Sequence, residues 1–340
     1  MSDGSYITNQ WGLELATPGP EDDELHSELC RSIGAHNCVE TQFFGFSIPE
    51  ENIHSINYFR HHPNMGHMLG GALVFQGMKE HFCAAELADY RIFNTDEPLR
   101  NGLRHMKMIN SYETEVIEPL KRFRAAYSDP QRQNSFDLHY TAVAPPIGMK
   151  RTGHLEQTMR VQGELFLRGK RFDVDSLTIR NRTWGEVRDE NHAAIPATSW
   201  MACTVDENFS FLVNAMDHPD LDPVWKNDFD IDGDKTLLGG WMYRDGEVVG
   251  LKSIRKITRY DHRSWVPTGC EFDLIDMKGR SYAVKMKIVA AVPYNFYLNL
   301  NAYMCLAEME VNGQRGRCDF QDLQWTDMVN AMYRRFPRPN

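Results

Sequence analysis

The chain has 340 residues, of which 42% are hydrophobic and 25% charged, a composition typical of a globular protein long enough for two domains or one large all-β unit. Its 37 basic and 47 acidic residues give a formal charge of -10, the wrong sign for sustained contact with nucleic-acid phosphates or an anionic membrane. No apolar run reaches the roughly 18 residues that span a bilayer, and the N-terminus lacks the charged and apolar regions of a signal peptide. We therefore expect a cytoplasmic protein with no membrane span and no nucleic-acid partner.

Residues 1–36 predict an N-terminal segment that wraps over a folded body and contains a short helix. Pro20 supplies a rigid first-turn residue, and the acidic residues 21–24 suit the positive end of a helix dipole. We therefore expect a helix over 20–33.

The seven cysteines are odd in number, scattered and never spaced C-x-x-C. This pattern favours reduced packing thiols over a disulfide framework or a zinc site. The cysteines are Cys30, Cys38, Cys83, Cys203, Cys270, Cys305 and Cys318.

Residues 37–147 predict a first β domain, either a sandwich or a half barrel. Seven short runs in it are rich in β-branched and aromatic residues and are separated by Pro, Gly, Asn or Asp. These runs are 41–48, 55–62, 68–77, 82–93, 104–112, 121–128 and 135–144. Pro145 and Pro146 then interrupt the pattern, and because proline cannot sustain a central strand, they suggest a domain boundary there.

Residues 148–340 predict a second β domain, a meandering antiparallel barrel able to enclose an apolar ligand. Four dipeptides that favour hairpin turns lie between alternating apolar runs. They are Arg168-Gly169, Asp245-Gly246, Lys278-Gly279 and Asn312-Gly313. Apolar residues then recur at helical spacing from Trp325 to Phe336, which predicts a C-terminal helix beside the barrel.

The first of these hairpins collects several reactive side chains. Because alternate residues of a strand share a face, His154 and Glu156 should project together from its first strand. Arg180, Arg182 and Trp184 should project together from its second strand. The hairpin would thus gather an acid, two guanidiniums and an indole; the alternative is a surface hairpin with a solvated charged face.

Two patterns raise the question of a metal. Residues 228–234 copy the first half of a calcium-binding EF-hand loop, but Gly239 stands where that loop needs a bidentate Glu. An acidic surface loop is therefore favoured over a weak calcium site. Four histidines lie within 54–67, yet the neighbours His61 and His62 should point to opposite faces of a strand. We expect no metal there and consider one of these imidazoles a proton carrier instead.

Motifs for other chemistries are missing from the sequence. It contains no G-x-S-x-G nucleophile elbow, no P-loop, and no G-x-G-x-x-G after a strand. The sequence therefore gives little support for a dehydrogenase, a kinase or a hydrolase, and we expect no cofactor.

The hairpin resembles the signature of carotenoid hydratase (hydroxyneurosporene synthase)-like proteins. That signature begins with His or Tyr two residues before an acid-Gln pair and continues with Asp-Gly. It ends with Arg-Asp-x-Ser-Trp-Gly, where x is Arg or His. The matching positions are His154, Glu156, Gln157, Gly163, Gly169, Asp173, Asp175, Arg180, Arg182, Trp184 and Gly185. The chain departs from it at Ser176 and Asn181, where the family has Gly and Asp, so no role in proton transfer is carried over to Asn181.

This resemblance extends weakly over residues 40–320. It implies an all-β fold of two consecutive lipocalin-like antiparallel domains with short peripheral helices, and a pocket at or between the domains. The family includes hydratases and, more distantly, lipocalin-like Diels-Alderases, so the resemblance implies no single reaction.

The chemistry shared by these readings is acid-base or electrostatic work on a hydrophobic small molecule. Hydration of an alkene needs a carboxylic acid kept protonated in a dry pocket and aromatic faces for the cation, which Glu156 with Trp184 and Trp241 would supply. Retro-aldol-type cleavage, such as formaldehyde release from a lignin-type aromatic, needs cations beside a phenolate or enolate, a task that suits Arg180 and Arg182.

We therefore expect a cofactor-independent lyase acting on a terpenoid or aromatic molecule. The expected catalytic residues are Glu156, Arg180 and Tyr58, and the expected substrate-binding residues are Arg182, Trp184, Trp241, Tyr243 and His61. The sequence leaves the oligomeric state open, with a homodimer as one alternative. The alternative is a non-enzymatic lipocalin-like carrier of an apolar ligand, and where the arginines point should distinguish the two.

Overall fold

A computed structural model describes residues 15–95, 97–149, 153–188, 196–221, 231–296 and 300–335. These form two compact units. The sheet unit consists of Leu15–Gln76 and Cys83–Arg188, and the barrel unit of Gly77–Phe82 and the described part of Asp189–Asn340. In the described residues, no helix is long and apolar enough to cross a membrane.

The sheet unit contains thirteen strands and one α-helix in its described residues. The strands are β1 (Leu15–Ala16), β2 (Cys38–Phe44), β3 (Ser47–Ile48), β4 (Ile53–His62), β5 (His67–Gln76), β6 (Leu87–Asn94), β7 (His105–Lys107), β8 (Glu113–Glu118), β9 (Arg122–Asp129), β10 (Asn134–Ala142), β11 (Ile147–Met149), β12 (His154–Leu167) and β13 (Lys170–Val187). Each of the seven runs predicted between 41 and 144 contains at least part of a strand, whereas β8, with three Glu in six residues, was not predicted.

These strands form one antiparallel sheet in the order β6-β5-β4-β2-β13-β12-β10-β9-β8-β7. The sheet curls on itself, as hydrogen bonds between strands far apart in this order show. Thr114 of β8 donates to Gln42 of β2 at 3.3 Å, and the Tyr127 hydroxyl of β9 donates to Asp89 of β6 at 3.0 Å. The enclosed surface, here called the inner face, carries the apolar core of the unit, including Phe44. The opposite surface is the outer face.

The division between the units differs from the boundary expected at 147/148. The strand β11 pairs with β12, and the β12–β13 hairpin pairs with β10 on one side and β2 on the other. These ladders tie residues up to 188 into the first sheet, so the units divide at 188/189. Pro145 and Pro146 occupy the short connection between β10 and β11, where a missing N–H does not interrupt a ladder.

The N-terminal region differs from the predicted helix over 20–33. A 3-10 turn covers Pro20–Asp23, the chain is extended at Glu24, and helix α1 covers only Ser27–Ile33. Tertiary contacts of the acidic turn, described below, explain the interruption. Residues 1–14 lie outside the described part of the chain.

A disulfide joins Cys30 of α1 to Cys38 of β2, so the expectation that all the cysteines are reduced was wrong. The two are close because the chain reverses after α1 at Gly34, whose φ of +76° suits glycine, and the Cα atoms are 5.5 Å apart. Disulfides persist mainly in oxidising compartments, so the expected cytoplasmic location stays a prediction that this bond does not favour.

The barrel unit contains eight strands that close into an antiparallel barrel. They are β14 (Thr198–Asp206), β15 (Phe209–Met216), β16 (Leu237–Arg244), β17 (Glu247–Tyr260), β18 (Pro267–Asp276), β19 (Ser281–Tyr294), β20 (Leu300–Val311) and β21 (Gln314–Trp325). Apolar side chains and cysteines fill its interior. Three of the predicted turn dipeptides connect adjacent strands of the barrel, whereas Arg168-Gly169 connects β12 to β13 of the sheet unit. Helix α2 (Thr326–Arg335) follows β21 as predicted. The expected all-β fold with a closed barrel is thus confirmed.

Candidate functional site

The register of the β12–β13 hairpin divides its reactive side chains between the two faces. Arg180 pairs with Gln157, and Arg182 lies opposite Gln42 of β2, on the inner face. Glu156 pairs with Asn181, the residue between the two arginines. Because neighbouring residues of a strand point to opposite faces, Glu156 lies on the outer face. The expectation that one site gathers the acid and both guanidiniums was wrong, because residues of opposite parity cannot share a face of a regular strand pair.

Arg180 is held in a buried ion pair. Its Nη1 lies 2.8 Å from Asp23 Oδ1, and its Nη2 and Nε donate to Gln157 Oε1 at 2.9 and 3.1 Å. The guanidinium carbon lies 4.1 Å from the centroid of the Phe123 ring. Both charged side chains are almost fully buried, and burial lowers the pKa of Arg180. These contacts make the arginine a fixed part of the core.

Arg182 is committed in the same way. Its Nη1 donates to the backbone oxygen of Asp22 at 2.7 Å, and its Nη2 donates to Glu40 at 3.1 Å. Burial lowers its pKa to about 10. Trp184 lies on the same side, with its ring stacked 4.7 Å from that of His26 and 5.5 Å from the Arg182 guanidinium carbon.

The two arginines therefore fasten the acidic turn 20–23 onto the inner face, which is why the predicted helix is broken there. Neither pairs with the acids of its own hairpin. Asp173 bonds to Arg171 and Asp175 to Arg160, both at the surface. Arg180 and Arg182 do project together with Trp184 as predicted, but their contacts are those of a structural ion-pair network.

The outer face carries a buried chain of three hydrogen-bonded side chains. The Nδ1 atom of His154 lies 2.7 Å from Thr183 Oγ1, and its Nε2 atom lies 2.9 Å from Glu156 Oε1. His154 and Thr183 pair across the strands, and Glu156 follows two residues after His154. We call these three residues the outer-face relay. The prediction that His154 and Glu156 project together is confirmed.

A β-bulge extends this site along β13. Register with β2 shifts between Thr183 and Glu186, and Gly185 within the bulge has a φ of +66°. The shift returns Glu186 to the outer face despite its opposite parity to Thr183. Burial alone would raise the pKa of Glu186, but the ion pair with Arg188 at 2.9 Å, together with His154, holds that pKa below its ordinary value.

Arg188 connects the bulge to Tyr58 of β4, to whose hydroxyl it donates at 3.2 Å. Tyr58, Phe43, Asn181 and Glu156 are successive cross-strand partners on the outer face. Three strand spacings therefore separate Tyr58 from Glu156, about 14 Å. The structure places these two predicted catalytic residues on one surface, at opposite ends of a row.

The outer-face relay has the parts of a proton-transfer system. A hydroxyl, an imidazole and a carboxylate in sequence can move a proton along the chain while the carboxylate stabilises the imidazolium. Acyl transfer would also need a nearby N–H to bind an oxyanion, yet the N–H of Trp184, next to Thr183, donates to Gly153 at 2.7 Å. Proton transfer therefore suits the site better than nucleophilic attack.

The remaining predicted residues lie elsewhere. Trp241 and Tyr243 belong to β16 of the barrel unit and flank Met242, which faces the apolar interior of the barrel; both therefore project from the other side of the strand. His61 lies on the inner face of the sheet, opposite Glu40, and burial lowers its pKa to about 4.

Sequence reasoning missed Thr183, Glu186 and Arg188 as site residues. The Arg-x-Arg-Thr-Trp-Gly motif contains Thr183, and the nearby glycine is a signal for a bulge. Reading that bulge in the sequence would have placed Glu186 and Arg188 on the same face as the relay.

Across the described ranges, no three His, Cys, Asp or Glu side chains are arranged to hold a metal ion. The rings of His62 and His67 stack at 4.7 Å. Asp228 and Asp230 lie outside the described residues, and Asp232 accepts a hydrogen bond from the backbone of Asp234 at 3.1 Å.

A family model described as "Domain of unknown function (DUF7064)" matches residues 20–329. The chain belongs to this family. The DUF7064 match includes every strand from β2 to β21. No curated protein matches the sequence significantly.

Solved structures of similar fold cover most of this DUF7064 chain. An AttH-like protein (NE1406) from Nitrosomonas europaea has a TM-score of 0.63 at 10% identity, over 91% of this chain and 96% of its own. Kievitone hydratase from Nectria haematococca has a TM-score of 0.55 at 11% identity, over 95% and 97%. CghA bound to Sch210972 has a TM-score of 0.54 at 10% identity, over 86% and 89%. At these identities the likeness shows the two-domain lipocalin-like fold.

Proposed function

We propose that this DUF7064 protein is a cofactor-independent lyase that adds water to, or removes water from, a hydrophobic, oxygen-bearing small molecule. The observation that carries the proposal is the outer-face relay. Its three side chains are buried, with exposures of 8% for His154, 0% for Glu156 and 5% for Thr183. A low-dielectric setting strengthens such hydrogen bonds and lets proton transfer compete with solvent.

Dehydration breaks a C–H and a C–OH bond and releases water. One proton must leave carbon, and one must reach the departing hydroxyl. The relay performs such transfers through the Thr183 hydroxyl, which passes a proton to or from His154 Nδ1, while Glu156 holds the imidazole in place and balances its charge. Hydration is the same path reversed.

The opposite end of the row supplies a second polar contact. The Arg188 guanidinium is paired with Glu186 through Nε and donates to the Tyr58 hydroxyl through Nη1, and its further N–H groups can donate to a substrate oxygen. The span of about 14 Å between Tyr58 and Glu156 suits a substrate of several rings lying along Phe43. A hydrophobic aromatic or terpenoid molecule fits this description.

Two further considerations support hydration or dehydration over retro-aldol cleavage. The guanidiniums that would hold an enolate are committed to Asp23 and Glu40. One protein of similar fold is a kievitone hydratase, which supports the reaction class but not a substrate.

The test is incorporation of ¹⁸O. Purified protein is incubated in H₂¹⁸O with a panel of aromatic and terpenoid alkenes and the corresponding alcohols, and products are analysed by mass spectrometry. We expect enzyme-dependent ¹⁸O uptake by the alkenes or enzyme-dependent loss of water from the alcohols, and this turnover should fall about 100-fold or more in His154→Gln and Glu156→Gln, the scale of general acid-base catalysis. The matched control is Asp173→Asn, an exposed position on β13, the other strand of the same hairpin, which should retain full activity.

A non-enzymatic carrier would give a different result. It would retain a panel molecule through gel filtration without ¹⁸O uptake or loss of water, and the relay variants would bind as the wild type does. That outcome, or turnover unaffected in both relay variants, contradicts the proposed function.

A further inference from the structure

We propose that the interior of the sheet unit holds a second binding site, centred on Phe44, for a neutral, flat molecule that carries both a hydroxyl and a carbonyl group. The site lies on the inner face, opposite the relay, and does not depend on the proposed function. It consists of Gln42, Phe44, Asn57 and Tyr140, and we call it the Phe44 site.

Four strand positions bring these side chains together. Asn57 of β4 is the cross-strand partner of Phe44, so their Cβ atoms are about 5 Å apart. Gln42 precedes Phe44 by two residues and shares its face. The Tyr140 ring of β10 lies 4.9 Å from the Phe44 ring. The Phe123 ring, 5.6 Å from Phe44, extends the aromatic surface.

Each polar member of the site carries a buried atom that lacks a hydrogen-bond partner among the described residues. These atoms are Gln42 Nε2, Asn57 Oδ1 and the Tyr140 hydroxyl. The side chains are 2%, 0% and 1% exposed. Leaving a buried polar group unpaired costs about 1–3 kcal/mol. Three such groups around one ring therefore indicate a ligand that forms hydrogen bonds with them.

The orientation of Asn57 is set by its neighbour. Its Nδ2 donates to Ser55 Oγ at 3.3 Å, and Ser55 Oγ also accepts from the Phe46 N–H at 2.8 Å and donates to the Phe46 carbonyl at 3.1 Å. Because the Ser55 proton is already used, the Asn57 amide must present its nitrogen to Ser55. Its oxygen is therefore the acceptor left for a ligand.

Gln42 presents the complementary group. Its Oε1 accepts from Thr114 at 3.3 Å, which leaves the N–H groups of Nε2 as donors. Burial raises the pKa of Tyr140 well above its ordinary value, so its phenol stays protonated and can donate or accept. The site thus offers one acceptor, one donor and one hydroxyl between aromatic rings.

These groups define the ligand. An acceptor at Asn57 requires a hydroxyl or N–H on the ligand, and the donor at Gln42 requires a carbonyl or ether oxygen. The neighbouring charges, Arg182 opposite Gln42 and Arg180 over Phe123, are each paired with a buried carboxylate, so the site offers no counter-charge to an ion. Aromatic faces favour a flat frame. A neutral hydroxy-ketone of fused aromatic rings meets every requirement.

The test uses 3-hydroxyflavone as the probe and flavone, which lacks its hydroxyl, as the matched ligand. Binding to the full-length protein is measured by fluorescence titration and calorimetry. We expect 3-hydroxyflavone to bind about tenfold more tightly than flavone, the size of one net hydrogen bond. Asn57→Leu should abolish that preference, and Gln42→Met and Tyr140→Phe should weaken both ligands.

Thr141→Val is the matched control, because Thr141 is exposed on the opposite face of β10 and should leave binding unchanged. Thermal unfolding reports folding separately: Asn57→Leu should be at least as stable as the wild type, since it removes an unpaired acceptor. Two results overturn the proposal. One is no preference for the hydroxylated probe; the other is Asn57→Leu destabilising the protein without changing the affinity for either probe, as expected if ordered water alone occupies the site.

Discussion

The buried ion pair of Arg180 and Asp23 shows how a residue that suggests ligand binding can instead hold a fold together. Both side chains are removed from water, and each is neutralised by the other. Burying a charge without its partner is far more costly than the pair itself. The value of Arg180 therefore lies in fastening the acidic turn to the sheet.

Arg180→Ala should destabilise the protein by about 3–5 kcal/mol, because it leaves Asp23 buried and unpaired. Urea unfolding monitored by fluorescence measures this loss. The double variant Arg180→Ala, Asp23→Ala should recover part of it. For comparison, Arg160→Ala removes a half-exposed pair with Asp175 and should cost less than about 1 kcal/mol; equal losses in the two single variants would refute the structural role.

A second residue-scale prediction concerns Asp322 in the barrel unit. Burial raises its pKa to about 6, against opposing effects of Lys256 and of hydrogen bonds from Gln324 and Tyr260, while Asp217 adds to the rise. The folded-state pKa exceeds the unfolded value, so the folded protein binds the extra proton between pH 4 and 6. Stability should therefore fall as pH rises through that window and stay low above pH 6.

The difference in unfolding free energy between wild type and Asp322→Asn reports this effect, because other titrating groups cancel. As pH rises from 4 to 7, the variant should gain about 2 kcal/mol relative to the wild type. Urea midpoints at several pH values provide the measurement. A difference that is constant with pH would show that the carboxyl titrates normally.

At the scale of elements, the bulge in β13 decides which side chains meet the relay. Gly185 takes a φ of +66° within it, and a Cβ there would lie 2.5 Å from Leu29 Cδ2 of α1. The backbone angle favours glycine, and the Leu29 side chain would have to move to admit a Cβ. The bulge is what carries Glu186 and Arg188 to the outer face.

Gly185→Ala should therefore cost more than a glycine substitution at an open turn. Gly246, with a φ of +85° and no atom within 4 Å of an added Cβ, is the matched control, and Gly246→Ala should cost about 1 kcal/mol. We expect Gly185→Ala to lose at least twice that amount in thermal unfolding. A loss no larger than that of Gly246→Ala would mean that the Leu29 side chain moves aside freely.

At the scale of the whole molecule, each unit has its own apolar core. Two β units could be predicted from the sequence alone. Strand periodicity and turn chemistry are local properties, so the four turn dipeptides and the C-terminal helix could be predicted from neighbouring residues. The sequence did not reveal the unit boundary, because the long β12–β13 hairpin reads the same whichever sheet it joins.

The candidate site divides in the same way. Alternation along single strands determined that His154 and Glu156 share a face and that Arg180 and Arg182 share a face. Only the tertiary structure decided that these are opposite faces, because cross-strand register and the bulge at Gly185 depend on partners far along the chain. It also decided the partners of the buried charges. Asp23 and Glu40 lie more than a hundred residues before the arginines they neutralise, and no local pattern records a contact at that distance.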